Sequence, residues 1–152
     1  MIHIVDDNES VLSVMIELVE LFDYKARGFS SSCEYMTLAQ SPSYEVPEAI
    51  FCDVLMPGLD GFELMRRVHA LHPRIRFIII SGEDHTLHAD KQGACIYLLK
   101  PIHFDVLENT FDHLRQCSQC GPSHDLVEQW PDDRHNFGVK TTTCPFTATD
   151  LI

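Results

Sequence analysis

The chain has 152 residues, of which 45% are hydrophobic and 22% are charged, a composition typical of a globular protein rather than a disordered one. Its 23 acidic residues outnumber the 11 basic ones and give a formal net charge of −12, which argues against direct binding to the phosphate backbone of a nucleic acid. The charge favours a divalent cation or a basic protein surface as partner. Because no apolar run approaches the roughly 20 residues of a membrane span, and the start of the chain does not resemble a signal peptide, we expect a cytoplasmic protein without membrane insertion.

The first part of the chain alternates predicted strands with predicted helices. Ile2–Val5 is a short apolar run suited to a strand buried on both faces, and a helix from about Glu9 to Phe22 follows it. Tyr24–Phe29 predicts a weaker strand near a sheet edge, because its charged residues alternate outward. The next helix opens at a capping box and covers about Ser31–Gln40. Ala49–Asp53 is the third predicted strand.

The same alternation continues towards residue 117. A helix is predicted from about Phe62 to Leu71, and Arg76–Ile80, the most apolar of the runs, is the fourth strand. A short helix at about Thr86–Gln92 precedes the fifth strand, Cys95–Leu99. The last helix is predicted from about His103 to Cys117, with its apolar residues on one stripe.

Five successive βα units predict an α/β fold with a doubly wound, five-stranded parallel sheet in the order 2-1-3-4-5, that is, a flavodoxin-like (βα)5 domain. We expect this domain over residues 1–117. Residues 118–152 are broken by glycine and proline and lack helical periodicity, so an irregular C-terminal extension is expected there. Its apolar and aromatic residues predict that at least part of it packs on the domain or on a second copy of the chain.

Polar side chains stand at the ends of four of these strands. Asp6 and Asp7 follow the first strand, Asp53 ends the third, Ser81 follows the fourth and Lys100 follows the fifth. Ligands bind such sheets at the carboxyl ends of the strands, at the switch point between the first and third strands in this order. Three carboxylates, a hydroxyl and an ammonium group there predict a site for a divalent cation and a phosphoryl group.

These strand-end residues and their neighbours resemble the receiver domain of two-component response regulators over about residues 1–117. The motifs that carry the resemblance are, in chain order, Asp6-Asp7, Asp53 with Met56-Pro57-Gly58 and Gly61, Ser81-Gly82, and Lys100-Pro101. The resemblance implies a signalling switch rather than an enzyme. It would take a phosphoryl group from a histidine kinase or a histidine phosphotransfer protein, and would then regulate a partner protein or pass the group on.

The resemblance also implies a role for each residue of the site. Asp53 would be the phosphoacceptor, a carboxylate nucleophile. Asp6 and Asp7, with Asp53 and the backbone carbonyl of Leu55, would hold Mg²⁺ or Mn²⁺. Lys100 would contact a phosphoryl oxygen as a point charge.

A switch is implied next to this site. Ser81 would hydrogen-bond another phosphoryl oxygen after transfer, and Tyr97 would turn inward when it does so. The output face would then be formed by the fourth helix, the fifth strand and the fifth helix. In this family the Lys100-Pro101 peptide is often cis.

Two other function classes remain open for this sequence. One is a pseudo-receiver, an unphosphorylated docking module, against which the intact acid set and Lys100 argue. The other is a phosphohydrolase of the haloacid dehalogenase type, which also combines an aspartate nucleophile with Mg²⁺ and a lysine. Those enzymes place the nucleophile on the first strand and the acid pair late, the reverse of the order here.

The segment after residue 117 has no pattern typical of a DNA-binding or catalytic output domain. We therefore expect a stand-alone receiver that acts on another protein, with homodimer formation left open. Several residues near and within the extension could hold zinc, namely Cys117, Cys120, His124, His135 and Cys144. Their spacing is loose, so unliganded thiols are the default expectation.

Overall fold

The part of the chain that the computed structural model describes, residues 1–82, 94–117 and 140–141, contains six strands and four helices. The elements are β1 (Ile2–Val5), α1 (Glu9–Leu21), β2 (Ala26–Phe29), α2 (Ser32–Ala39), β3 (Ala49–Asp53), α3 (Gly61–Leu71), β4 (Arg76–Ser81), β5 (Ile96–Leu99), α4 (Phe104–Cys117) and β6 (Lys140–Thr141). The predicted bounds of β1 and β3 agree with the structure. The other bounds differ by one or two residues, which is the usual uncertainty at helix and strand ends.

The strands form one sheet in the order β2-β1-β3-β4-β5-β6. The first five are parallel, which confirms the predicted order 2-1-3-4-5. The predicted strand count needs a correction, because Lys140–Thr141 of the C-terminal extension pairs antiparallel with β5 as a sixth strand. Two residues carry no periodicity that a sequence pattern could reveal. The unpaired backbone groups at a sheet edge are what attract such a segment.

Helices cover both faces of the sheet, as a doubly wound fold requires. On one face α1 and α4 pack on alternate strand residues in a cluster that includes Ile4, Val19 and Phe111. On the other face α2 and α3 pack on the remaining residues in a cluster that includes Tyr35 and Leu64. All four residues of β1 are buried, which explains why its sequence is a continuous apolar run.

Three of the helices begin at a side chain that accepts hydrogen bonds from free backbone N–H groups. Asn8 accepts from Ser10 and Val11 at the start of α1, and Ser31 accepts from Glu34 at the start of α2. Asp60 does the same for α3. Such caps stabilise a helix by about 1 kcal/mol. These caps also fix the point at which the chain turns from each strand into the next helix. The turns lie at the edge of the sheet that carries the predicted site.

Some predictions fall outside the described residues. They are the helix at Thr86–Gln92, the packing of the extension apart from residues 140–141, and the zinc ligand set, including the side chain of Cys117. Within the described ranges, none of the helices has both the length and the apolar character that crossing a lipid bilayer requires.

Candidate functional site

Two buried carboxylates face each other at the carboxyl ends of neighbouring strands. Val5 of β1 pairs with Cys52 of β3, so the next residues, Asp6 and Asp53, lie side by side at the end of the ladder. Only 3% of Asp6 and 6% of Asp53 is exposed. Because buried charges are costly unless they are paired, this pair of acids requires a cation.

Lys100 supplies one positive charge to both acids. Its Nζ lies 2.6 Å from Oδ1 of Asp53 and 3.2 Å from Oδ2 of Asp6. The backbone N–H of Lys100 donates to the carbonyl of Ser81, which fixes the start of the segment after β5. Burial lowers the pKa of Lys100, but the hydrogen bond to Asp53 and the negative charges of Asp53 and Asp6 outweigh it, so the pKa is raised. The ammonium form is therefore the one present at neutral pH. The peptide between Lys100 and Pro101 is cis.

The second oxygen of Asp6 is also held. Oδ1 accepts a hydrogen bond of 2.9 Å from the backbone N–H of Asn8, the residue that caps α1. The orientation of the Asp6 carboxylate is thus set by Asn8 on one side and Lys100 on the other. Asp7 is exposed, at the rim of the same strand end.

The three acids are not gathered into one tight group. Among residues 1–82, 94–117 and 140–141, no three histidine, cysteine, aspartate or glutamate side chains lie close enough together to hold a metal ion. The donor chemistry nevertheless fits a hard divalent cation. Asp6, Asp7 and Asp53 carry three formal negative charges, and Lys100 carries one positive charge, which leaves a net charge of −2. One divalent cation offsets that charge.

The chain after Asp53 turns sharply into α3, and Gly61 makes the turn possible. A Cβ on Gly61 would lie 2.2 Å from the carbonyl oxygen of Asp53, a distance that no side chain tolerates. The N–H of Gly61 donates to the carbonyl of Val54, which closes the turn. The glycine that the sequence analysis noted only as part of a motif is therefore required by the close approach of α3 to β3. Leu55, in this turn, has an exposed side chain.

Ser81 and Tyr97 lie on neighbouring strands and on the same face of the sheet. Ile79 pairs with Tyr97, and Ser81, two residues further along β4, shares the face of Ile79. Tyr97 is 8% exposed, with its ring centroid 6.5 Å from that of Phe62 at the start of α3. Burial raises the pKa of the Tyr97 hydroxyl, so the hydroxyl remains protonated. The predicted switch residues thus share one face of neighbouring strands, and the side chain of Tyr97 is buried.

One residue of the site region was missed by the sequence analysis. Ser32 is 1% exposed, and its hydroxyl donates a hydrogen bond of 3.2 Å to the carbonyl of Pro57 in the turn after Asp53. The only signal in the sequence is a second serine directly after the capping serine, Ser31. A helix needs one capping side chain, so the sequence pattern predicts no partner for the second hydroxyl.

Comparison with known proteins points to one family. Residues 2–112 match the family model described as the response regulator receiver domain. The chain is 26% identical, over 91% of its length, to the DNA-binding transcriptional regulator NtrC of Escherichia coli. It is 31% identical, over 67% of its length, to the uncharacterized transcriptional regulatory protein YesN of Bacillus subtilis. The chain spans 32% and 28% of those two proteins, respectively.

Solved structures show the same fold. A response regulator receiver domain protein from Clostridium thermocellum superimposes with a TM-score of 0.68 at 24% identity, covering 78% of this chain and 95% of that one. The response regulator TrrA of Thermotoga maritima, solved in complex with Mg²⁺-BeF, gives a TM-score of 0.67 at 19% identity and covers 74% of this chain and 96% of that one. At these identities the likeness establishes the architecture alone.

Proposed function

The chain belongs to the family of response regulator receiver domains, and from this premise we propose that it is a phosphoryl-accepting signalling switch with Asp53 as the acceptor. The family is one of signalling phosphoacceptor domains rather than of enzymes in the ordinary sense. The observation that carries the proposal is the Asp53 carboxylate, 6% exposed at the carboxyl end of β3, with the Lys100 ammonium 2.6 Å away.

The proposed reaction is a phosphoryl transfer from a phosphohistidine of a histidine kinase or a histidine phosphotransfer protein. A carboxylate oxygen of Asp53 forms the new P–O bond while the P–N bond of the donor breaks. The imidazole nitrogen keeps the electron pair of that bond and takes a proton from solvent. Lys100 offsets negative charge on the phosphoryl oxygens. The other contribution of the site is to position the carboxylate of Asp53 against the phosphoryl group.

A divalent cation, Mg²⁺ or Mn²⁺, belongs to the proposal. Asp6, Asp7 and Asp53, with the backbone carbonyl of Leu55, would hold it, and when bound it would offset the repulsion between the acids and the phosphoryl group. The net charge of −2 at this strand end and the fixed orientation of Asp6 support this assignment.

Output is proposed to run through Ser81 and Tyr97. Ser81 would donate a hydrogen bond to a phosphoryl oxygen of phospho-Asp53, and its movement would favour the inward position of Tyr97 that the structure contains. The adjacent surface, formed by β5 and α4, would then change its affinity for a downstream protein. The net charge of −12 favours a protein rather than a nucleic acid as the direct target.

The acceptor is tested by incubating the protein with labelled acetyl phosphate and MgCl₂. We expect the wild type to take up label and Asp53→Asn to take up none. Asp60→Asn is the matched control, because Asp60 lies seven positions further on, caps α3 and is exposed. It should be labelled like the wild type. Equal labelling of wild type and Asp53→Asn would contradict the acceptor assignment. A wild type that takes up nothing, from acetyl phosphate or from kinases, would favour the pseudo-receiver instead.

A further inference from the structure

Two neighbouring serines at the start of α2 have different partners. Ser31 caps its own helix by accepting from the N–H of Glu34. The hydroxyl of Ser32 turns away from the helix and donates to the carbonyl of Pro57, 25 positions along the chain. Ser32 is 1% exposed. Because a buried hydroxyl without a partner is destabilising, the hydrogen bond to Pro57 stabilises the buried position of Ser32.

Pro57 lies in the middle of the loop 54–60, which connects Asp53 to α3. Both ends of this loop are tied to regular structure. The N–H of Val54 donates to the carbonyl of Ile80 in β4, and the N–H of Gly61 donates to the carbonyl of Val54, each over 3.0 Å. Proline has no N–H of its own, so the middle of the loop cannot be fixed by a donor at that residue.

The middle of the loop lies directly against the first turn of α2. Gly58 has a φ of +85°, and a Cβ there would lie 2.7 Å from Sγ of Cys33. The helix therefore contacts the loop through two consecutive residues, Ser32 by a hydrogen bond and Cys33 by close packing. The hydrogen bond from Ser32 lies on the buried side of this loop. On the same loop, the side chain of Leu55 is 64% exposed. Since burial of that side chain does not hold Leu55 in place, its backbone depends on the anchors of the loop.

We infer that Ser32 is a positioning residue for the phosphoacceptor loop: its hydroxyl holds Pro57 and thereby fixes the backbone of Leu55, two residues earlier, whose carbonyl is a proposed metal ligand. The inference rests on the proposed function, because that carbonyl matters only if it is a ligand of the divalent cation. Through this hydrogen bond, α2 sets the affinity of the site for the metal ion, although α2 contributes no residue to the reaction.

Ser32→Ala removes the hydroxyl and leaves the carbonyl of Pro57 without this donor. We expect the Kd for Mg²⁺ to rise roughly 2- to 10-fold, the range that the loss of one net hydrogen bond produces. The rate of labelling by acetyl phosphate should fall at subsaturating Mg²⁺ and recover at high Mg²⁺. Hydrogen exchange at the amides of Val54 and Gly61 should become faster, because their hydrogen bonds depend on the same loop.

Ser31→Ala is the matched control, since it removes the same atom from the preceding residue of the same helix. It should lower the Tm at least as much as Ser32→Ala, because it removes a helix cap. It should leave the Kd for Mg²⁺ and the exchange at Val54 and Gly61 unchanged. Ser32→Cys, which keeps a weak donor at the same buried position, should lie between the wild type and Ser32→Ala.

The measurements are calorimetric titration with MgCl₂, thermal unfolding without metal, and hydrogen exchange of the full chain. Equal Kd values in the wild type and Ser32→Ala, or a change that simply follows the loss of Tm in both serine variants, would overturn the inference. If the wild type itself bound no Mg²⁺, the proposed function would fail. Hydrogen exchange would still test whether the hydrogen bond from Ser32 to Pro57 holds the loop in place. Faster exchange at Val54 and Gly61 in Ser32→Ala alone would support it, and unchanged or equal exchange in both variants would refute it.

Discussion

At the scale of single residues, Lys100 determines the electrostatics of the site. Its Nζ contacts both buried acids, Oδ1 of Asp53 at 2.6 Å and Oδ2 of Asp6 at 3.2 Å. A lysine suits this task because its ammonium group is a compact point charge that can serve two carboxylates without the planar geometry that arginine imposes. The positive charge of Lys100 would repel the divalent cation and attract the phosphoryl group.

This opposition gives a prediction for Lys100→Met. The net charge at the strand end becomes more negative by one, so the Kd for Mg²⁺ should fall roughly tenfold. The rate of labelling by acetyl phosphate at saturating Mg²⁺ should fall by about 10²-fold, because a group that stabilises charge in the transition state is lost. Calorimetric titration and labelling kinetics measure the two effects.

Lys25→Met is the control for this variant. Lys25 is exposed and directly precedes β2, and its replacement makes the same change in net charge. Its effect on both quantities should be small, since exposed charges are screened by salt over about 10 Å. If Lys100→Met bound Mg²⁺ no more tightly than Lys25→Met does, Lys100 would not lie next to the metal.

At the scale of secondary-structure elements, the turn from β3 into α3 is set by backbone contacts. Gly61 is the first residue of α3, and Asp60 caps the helix by accepting from Glu63. Two effects of opposite sign act at Gly61. Alanine is favoured over glycine in a helix by about 1 kcal/mol. A Cβ at this position would meet the backbone of Asp53 at 2.2 Å, and backbone atoms cannot move aside as the end of a side chain can.

We therefore predict that Gly61→Ala destabilises the protein by about 2–4 kcal/mol, since the clash exceeds the gain in helix propensity. The clash displaces the acceptor residue itself, so labelling of Asp53 should fall as well. Gly82→Ala is the control, because a Cβ on Gly82 would meet no atom of the described residues within 4 Å, its chain neighbours aside. Urea unfolding should show no more than a small change for Gly82→Ala. Similar stabilities for the two variants would show that α3 does not approach β3 as closely as described.

At the scale of the whole molecule, a polar cluster within the core links β1 to α2 and to the segment before β3. His3 Nδ1 lies 2.9 Å from the hydroxyl of Tyr35, which lies 2.7 Å from the hydroxyl of Tyr44. Among the described residues, Nε2 of His3 is buried without a hydrogen-bond partner. A doubly protonated ring would therefore bury an unsatisfied N–H group and a charge. Burial lowers the pKa of His3 to about 4, with smaller contributions from the charges of Arg27 and the N-terminus.

The depressed pKa makes the stability of the fold depend on pH. Above pH 6.5 His3 is neutral in both states and its contribution is complete. Between pH 6.5 and about 4 the unfolded chain binds a proton that the folded protein refuses, so the free energy of unfolding falls as the pH falls. The full loss is about 3 kcal/mol. His69, whose pKa burial also lowers, acts in the same direction.

His3→Gln removes this titration and keeps a polar side chain. Between pH 7.5 and pH 5, urea unfolding should show a smaller loss of stability for His3→Gln than for the wild type, although the variant is less stable at pH 7.5. The difference between the two pH dependences isolates His3, because the carboxylates and His69 titrate in both proteins. Parallel curves for the two proteins would mean that folding does not lower the pKa of His3.

Much of the fold could be predicted because its signals are local. The segments that form β1 and β3 are largely apolar because both faces of each strand are covered. The helices can be predicted from their apolar periodicity and from capping residues such as Ser31. The strand order followed from five βα units and the handedness of their connections. The sixth strand was missed because two residues, Lys140–Thr141, have no period to detect.

By itself, the sequence determined which residues end the strands, and hence that Asp6, Asp53, Ser81 and Lys100 meet at one edge of the sheet. That much depends on the alternation of strand and helix along the chain. Only the tertiary structure decided which side chains of the site and of the core are in contact. Lys100 and Asp6 are 94 positions apart, Tyr35 and His3 are 32 apart, and Pro57 and Ser32 are 25 apart. Contacts over such separations are set by the packing of whole elements against each other, and no local pattern of residues encodes that packing.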